Sequence, residues 1–316
     1  MNQAIKKKTR LPINGVLLLD KPVGWSSNDA LIKAKRLLNA IKAGHTGTLD
    51  PFATGLLPLC FGEATKFSAD LLDADKTYQT VVHLGVSTNT GDTEGEVIQT
   101  QEVNVTEAQI QTVLTQFRGD ILQVPPMYSA LKRDGKPLYE YAREGITLER
   151  EARPVTIHLL EFVCYEVPFL TLNVRCSKGT YIRVLGEDIG NALGCGAHLK
   201  ALRRTHVGHL ILENTVTLDQ LMEMSEEQRH ALLAPVDALL SSFPEVILNP
   251  ELSKRFLQGQ RISLAKEAVA HPSELGRVRV YRLDAELGTK QLLGSAQLQE
   301  FAVLAPERLI STADQH

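Results

Sequence analysis

Residues 44–66 read Gly44-His-Thr-Gly-Thr-Leu-Asp-Pro-Phe-Ala-Thr-Gly-Leu-Leu-Pro-Leu-Cys-Phe-Gly-Glu-Ala-Thr-Lys66. Four glycines and two prolines punctuate the stretch, which predicts mostly turn and loop. In its middle a carboxylate, Asp50, stands between Leu49 and Pro51. Pro51 lacks a backbone donor and biases Asp50 toward an extended conformation. Gly44, Gly47 and Gly55 allow another backbone or a ligand to come close. A loop so constrained, carrying one acid and one histidine, His45, is a candidate active-site loop. Leu-Asp-Pro taken alone reads as a turn or cap, so the remaining chain decides the matter.

Working outward, Gly15–Leu19 is an apolar strand candidate that runs into the turn Asp20-Lys-Pro-Val-Gly24. Ser26 or Ser27 can cap a helix reaching about Lys42, with Ala30, Leu31, Ala34, Leu37, Leu38 and Ile41 on one face. Residues 77–84 alternate as a strand does. Thr106 and Gln109 have capping-box spacing before a helix that Gly119 ends. Strands are expected at Val155–Leu159 and Leu170–Cys176, and a helix through Ile182, Leu185, Ile189 and Leu193. Residues 121–150 are rich in Pro, Tyr, Lys and Arg and read as an excursion from the core. Ser241–Pro250 reads as a linker, with brief strands beyond it at 278–281, 292–298 and 301–304.

Helices and strands are mixed without βαβ alternation. An α+β fold is therefore expected, on a mixed, largely antiparallel sheet, with a small C-terminal β-barrel-like unit. The 316 residues suffice for two domains. The boundary is expected between 1–246, which includes the 121–150 insertion, and 247–316.

Composition is ordinary for a soluble globular protein, and no apolar run reaches the ~20 residues of a bilayer span. The net charge is −3, which argues weakly against a nucleic-acid partner. The charge is uneven, however. Lys6, Lys7, Lys8 and Arg10 form a basic arm, and His198–His206 holds three fixed cations and no acid, while residues 213–245 carry seven acids against Arg229. A basic face is thus expected beneath the acidic total. Cys60, Cys164, Cys176 and Cys195 show no metal-ligand spacing and read as free thiols of a cytoplasmic protein.

Across residues 44–66 the sequence resembles the catalytic motif of the bacterial tRNA pseudouridine-55 synthases, the TruB family. Further segments resemble the same family in the same order. They are Asp20–Ser27, Lys76-Thr-Tyr78, Pro125–Lys132 with Leu138–Arg143, Ser177–Arg183 and Gly194–Arg204. Ser26 stands where many relatives have threonine. The resemblance implies a pseudouridine synthase domain with a C-terminal PUA-like RNA-binding domain. It implies isomerisation of uridine 55 in the T-arm loop of tRNA by a flipped-base mechanism. Asp50, Tyr78 and Arg183 would be catalytic. His45, Tyr78, Tyr181 and Leu202 would bind the substrate.

In chemical terms, a carboxylate can act as nucleophile or base, a guanidinium can hold it ionised, and an aromatic ring can stack on uracil. Attack on the base, attack on the sugar and removal of a ribose proton all remain open to Asp50. Tyr78, Tyr181 and Leu202 also fit core packing, and His45 could satisfy a loop carbonyl. No metal, cofactor, membrane or obligatory protein partner is expected; the partner is tRNA. Two rivals are a non-catalytic RNA-binding module, which needs no acid at 50, and the guide-RNA-dependent branch of the superfamily. The bacterial character of the motifs sets the latter apart.

Overall fold

The computed structural model describes residues 9–283 and 288–311. Lys6, Lys7 and Lys8 of the expected basic arm lie outside them. Strand β1 (Gly15–Lys21), helix α1 (Ser27–Leu37), β2 (Ala43–His45), β3 (Thr54–Phe61), α2 (Ser68–Leu72) and β4 (Lys76–Leu84) come first. Then follow α3 (Glu107–Leu114), β5 (Gly119–Gln123), α4 (Leu138–Arg143), β6 (Arg153–Glu166), β7 (Phe169–Cys176), α5 (Ile182–Ala192), β8 (Ala197–Val207), β9 (Val216–Thr217) and α6 (Leu218–Glu223). The sheet order is β9-β1-β3-β8-β4-β7-β6-β5, with β2 on β3 and a two-residue strand, Leu210–Ile211, on β8. The β1–β9 and β3–β8 pairs are parallel and the others antiparallel, the mixed, largely antiparallel sheet expected.

The stretch expected to be mostly loop contains a core strand. All of β3 except Thr54 is buried. Gly55–Phe61 is a continuous apolar run, the pattern of a strand covered on both faces, and its Gly and Pro disguise it. Antiparallel β1 lines one edge of β3 along its length. The other edge meets β2 only at 59–61 and β8 only at 54–55, which leaves a gap between. Pro58 sits in that gap. Its carbonyl accepts from the Thr46 N–H at 3.1 Å, and no strand there asks for the donor it lacks. The Arg204 side chain fills the rest: Nε donates to the Leu56 carbonyl at 2.8 Å and Nη2 to the Gly47 carbonyl at 3.3 Å.

Gly55 is required here. Its φ is +102°, and a Cβ would lie 2.3 Å from the Arg204 carbonyl oxygen. Gly55→Ala is therefore expected to cost about 3 kcal/mol or more through clash and strain. Chemical denaturation checks this; an unchanged midpoint would mean that β3 and β8 do not meet this closely.

Other boundaries moved for local reasons. Helix α1 is capped by Ser26, whose hydroxyl accepts from Asp29 N–H at 3.1 Å, but it ends at Leu37 rather than Lys42. Asn39 turns left-handed at φ +54°, and Ile41 is exposed instead of lying on the buried face. The capping box of Thr106 and Gln109 opens α3 as expected. Residues 119–123 belong to the sheet as β5, so the excursion begins at Val124 and not at 121. Within it, a short hairpin (Lys132–Arg133 with Lys136–Pro137) precedes α4.

The His198–His206 cluster is not an open basic face. Arg204 is 1% exposed, Arg203 makes two bonds to Asp20 at 2.6 and 3.1 Å, and Lys200 lies over the Phe169 ring. All belong to β8, whose alternation sends successive side chains to opposite faces. Of the three cations only Lys200 is exposed, and further exposed cations with aromatic neighbours occur on the insertion. Lys132, Arg133 and Arg143 are exposed, and Arg143 stands over Tyr139 at 5.2 Å.

A second sheet follows β10 (Glu245–Leu248), α7 (Pro250–Leu257), β11 (Ile262–Ser263), β12 (Gly276–Leu283), β13 (Lys290–Gln299) and β14 (Val303–Leu309), in order β10-β12-β13-β14-β11. The expected linker thus contains a strand, because Val246 and Leu248 alternate into the second core while β10 pairs with β12. This unit rests on residues 62–72, the segment that continues β3. Asp70 meets Arg277 and Arg308, and Lys66 exchanges bonds with Leu309 and Arg308. Ile310 and Leu292 join an apolar cluster with Phe67 and Leu71.

Candidate active site

Asp50 lies in the loop between β2 and β3, and its neighbours are held on both sides. The Ser27 hydroxyl, at the start of α1, donates to the Leu49 carbonyl at 2.9 Å and accepts from the Leu49 N–H at 2.8 Å. On the other side, the Pro51 carbonyl accepts from Gly24 N–H at 2.8 Å and from Lys21 Nζ at 3.3 Å. Lys21 is fully buried and also donates to the Pro22 and Trp25 carbonyls; burial pulls its pKa down to about 8 against the opposing charge of Asp50. The Asp20–Ser27 segment is therefore the clamp of the Asp50 loop. The sequence offered only a resemblance there, and the roles of Lys21, Gly24 and Ser27 emerge from these bonds.

Arg183 occupies the first turn of α5. Its side chain is 5% exposed, while that of Asp50 is 38% exposed, so the carboxylate faces the opening with the cation behind it. Arg183 Nε lies 2.9 Å from Asp50 Oδ2 and 3.5 Å from Asp92 Oδ2. Its Nη1 donates to the Thr90 carbonyl at 2.7 Å and its Nη2 to the Tyr128 carbonyl at 2.6 Å. The grip on Asp50 thus runs through Nε alone, while the two Nη groups tie the guanidinium to the backbone of two other segments. Burial pushes the Asp50 carboxyl above the usual carboxylate range, Arg183 pulls it back, and Asp92 adds to the push.

Asp92 was missed by sequence reasoning. It is buried, and its Oδ1 accepts from Thr90 Oγ1 at 2.6 Å and from Glu94 N–H at 3.0 Å. The run Asn89-Thr-Gly-Asp-Thr-Glu-Gly95 looks like any polar turn. What marks Asp92 as different is burial beside a shared cation, which has no sequence signature.

Tyr78 is half-buried on β4, directly across from Arg204 on β8, whose charge bears on its hydroxyl. Burial pushes its pKa up, with Arg204 opposing, so the hydroxyl stays protonated at neutral pH and the ring is left to stacking. Leu202 is buried two pairs further along the same ladder, opposite Thr80. Tyr181 caps α5, and burial likewise raises its phenol; the Asp50 charge bears on both rings. His45, on β2, is half-buried. Its pKa is lowered by burial and by Arg204, and its Nδ1 has no partner among the described residues. The structure thus brings Asp50, Arg183, Tyr78 and Tyr181 together, and places His45 and Leu202 beside them through Arg204 and β8.

Among the described residues no group of three His, Cys, Asp or Glu side chains is arranged to hold a metal, and no helix is long and apolar enough to cross a membrane. The four cysteines are free, and burial raises Cys60 to about 12 and Cys176 to about 11, which leaves both unreactive.

Three family models match the chain. TruB family pseudouridylate synthase (N terminal domain) matches residues 35–182, tRNA pseudouridylate synthase B C-terminal domain 183–241, and Pseudouridine synthase II TruB, C-terminal 244–310. The chain is 61% identical over 308 residues to the tRNA pseudouridine synthase B of Burkholderia mallei (strain ATCC 23344), covering 97% of each chain. It is 60% identical over 312 residues to that of Ralstonia pickettii (strain 12J), covering 96% of each. Among solved structures it resembles a chain from an H/ACA RNP bound to a substrate RNA containing 2'-deoxyuridine. There the TM-score is 0.70 and the identity 25%, over 96% of this chain and 86% of that one.

Proposed function

This chain belongs to the TruB family of pseudouridylate synthases, and from that membership we propose that it isomerises uridine 55 in the T-arm loop of tRNA, with Asp50 carrying the catalysis. It is a pseudouridine synthase. The observation that carries the finer reading is the half-open Asp50 carboxylate backed by the buried Arg183, with two aromatic rings beside it.

The reaction breaks the bond from ribose C1′ to N1, turns the uracil, joins C1′ to C5, and moves the C5 proton to solvent while N1 gains one. Atoms and electrons balance within one nucleotide, so no cofactor is called for. Asp50 acts as a nucleophile toward base or sugar, or as a base toward a ribose proton. All three roles need it ionised, and Arg183 favours that form. Tyr78 and Tyr181 supply walls on which an extruded uracil stacks, with Leu202 as an apolar side and His45 at the rim. Stacking repays part of the few kcal/mol that extrusion costs. Phosphate contacts fall to exposed cations of the insertion and to the C-terminal unit, which we assign as a PUA-like RNA-binding domain over 247–316 beside a catalytic domain over 1–246. Its first strand, β10, begins two residues before that boundary.

A guide-RNA-dependent activity is the second reading, favoured by the likeness to the H/ACA RNP chain. The far higher identity to stand-alone-named bacterial relatives favours action on tRNA without a protein partner. Purified protein incubated with unmodified tRNA is expected to yield one pseudouridine, at position 55, by mass spectrometry of RNase fragments. A transcript with cytidine at 55 should remain unmodified. Conversion elsewhere, or none without an added guide RNA, would overturn the assignment.

A further inference from the structure

Gln123 is the last residue of β5 and is 2% exposed. Its side-chain amide pairs with the backbone of Tyr181 at both ends. Nε2 donates to the Tyr181 carbonyl at 3.1 Å, and Oε1 accepts from the Tyr181 N–H at 2.8 Å. Tyr181 is the residue from which α5 starts, and its side chain makes no capping bond. Its carbonyl also accepts the opening helical bond, from Leu185 N–H at 3.1 Å. Gln123 therefore grips the backbone that launches α5, and Arg183 follows two residues on.

The same residue is also the root of the insertion. Val124-Pro125-Pro126 leads directly from it to Tyr128, whose carbonyl accepts from Arg183 Nη2. The first turn of α5 and the base of the insertion are thus joined twice, once through each segment's own side chain.

We infer that Gln123 is a positioning residue for the reaction: its amide fixes the Arg183 guanidinium against Asp50 and keeps the base of the insertion in register with it. This rests on the reading of Asp50 and Arg183 as the catalytic pair. The geometry leaves little tolerance. Asparagine is one methylene short of bridging both Tyr181 groups, and an ionised glutamate cannot donate to the carbonyl. A shift of about 1 Å in a positioning element costs up to roughly 10²-fold in rate.

Two variants test it by single-turnover conversion of tRNA across pH. Gln123→Leu removes both bonds. Its rate is expected to fall about 10–100-fold with the tRNA Kd within about twofold. Its acid limb should move to higher pH, because a loosened Arg183 no longer holds the Asp50 pKa down. Gln123→Glu is more specific. A protonated glutamic acid restores both bonds, donating O–H to the Tyr181 carbonyl and accepting the N–H, and burial favours that neutral form. Its rate should approach that of the unaltered protein at low pH and fall as pH rises and the carboxyl ionises, whereas the unaltered protein loses rate only as pH falls. A folded Gln123→Leu protein with normal rate, or a Gln123→Glu profile parallel to the unaltered one, would overturn the inference. If Gln123→Leu does not fold, the Gln123→Glu profile still decides. Loss of activity in Asp50→Asn together with parallel Gln123→Glu profiles sinks the positioning role alone. Retained activity in Asp50→Asn sinks the catalytic reading beneath it.

Discussion

Asp50→Asn is expected to lower pseudouridine formation by about 10⁴-fold or more, since it removes the group that acts as nucleophile or base. The fold should survive. Arg183 keeps Asp92 at 3.5 Å and its two carbonyl partners, so no uncompensated buried cation is left. Burial already works against an ionised Asp50, so a neutral amide relieves that cost, and Tm should be equal or higher. Binding of tRNA should persist and weaken as salt rises, because phosphate contacts lie elsewhere. Conversion under single-turnover conditions, a thermal melt and a salt titration read the three parts separately. Near-normal conversion would remove Asp50 from the mechanism. An unfolded variant would show that Asp50 is a structural acid.

Arg183→Lys is expected to be the next most damaging change, with a rate loss of about 10²–10³-fold at saturating tRNA. The guanidinium serves three directions at once: Asp50 through Nε, the Thr90 carbonyl through Nη1 and the Tyr128 carbonyl through Nη2. An ammonium is a point donor on a shorter reach and cannot span these fixed acceptors. Charge is conserved, so a loss confined to the rate, with Kd unchanged, would isolate geometry as the cause. A rate equal to that of the unaltered protein would show that only the positive charge matters there.

Much of the candidate site was legible because the residues proposed for it stand in long runs. Asp50, Tyr78 and Arg183 each fall in a quoted segment of residues 44–206, and a loop, a strand and a helix start bring them near one another. The strand periodicity of 77–84 and the capping box at Thr106 were readable because each is a local pattern with one physical meaning. The failures have a common character. Strand β3 was hidden because its Gly and Pro fit a gap between two partner strands, which is a fact of tertiary pairing. Arg204 read as part of a basic surface because nothing local says that a cation will be sealed in to bind the Leu56 and Gly47 carbonyls. Asp92 and Gln123 are ordinary polar residues in sequence. Their importance comes from burial next to a group supplied from about 60 to 90 positions away.

The gap beside β3 also bears on when the site can exist during synthesis. The Asp50 loop is braced by Arg204, which follows Leu56 by 148 positions. At ribosomal speeds of about 5–20 residues per second, that brace arrives on the order of 10–30 s after the loop has emerged. Until then β3 has β1 on one edge, while on the other β2 and Thr46 cover only 58–61 and the Leu56 carbonyl waits for its donor. The brace on the Asp50 loop is thus among the last parts of the catalytic half to be synthesised, so the loop cannot be held in its final form until β8 is made.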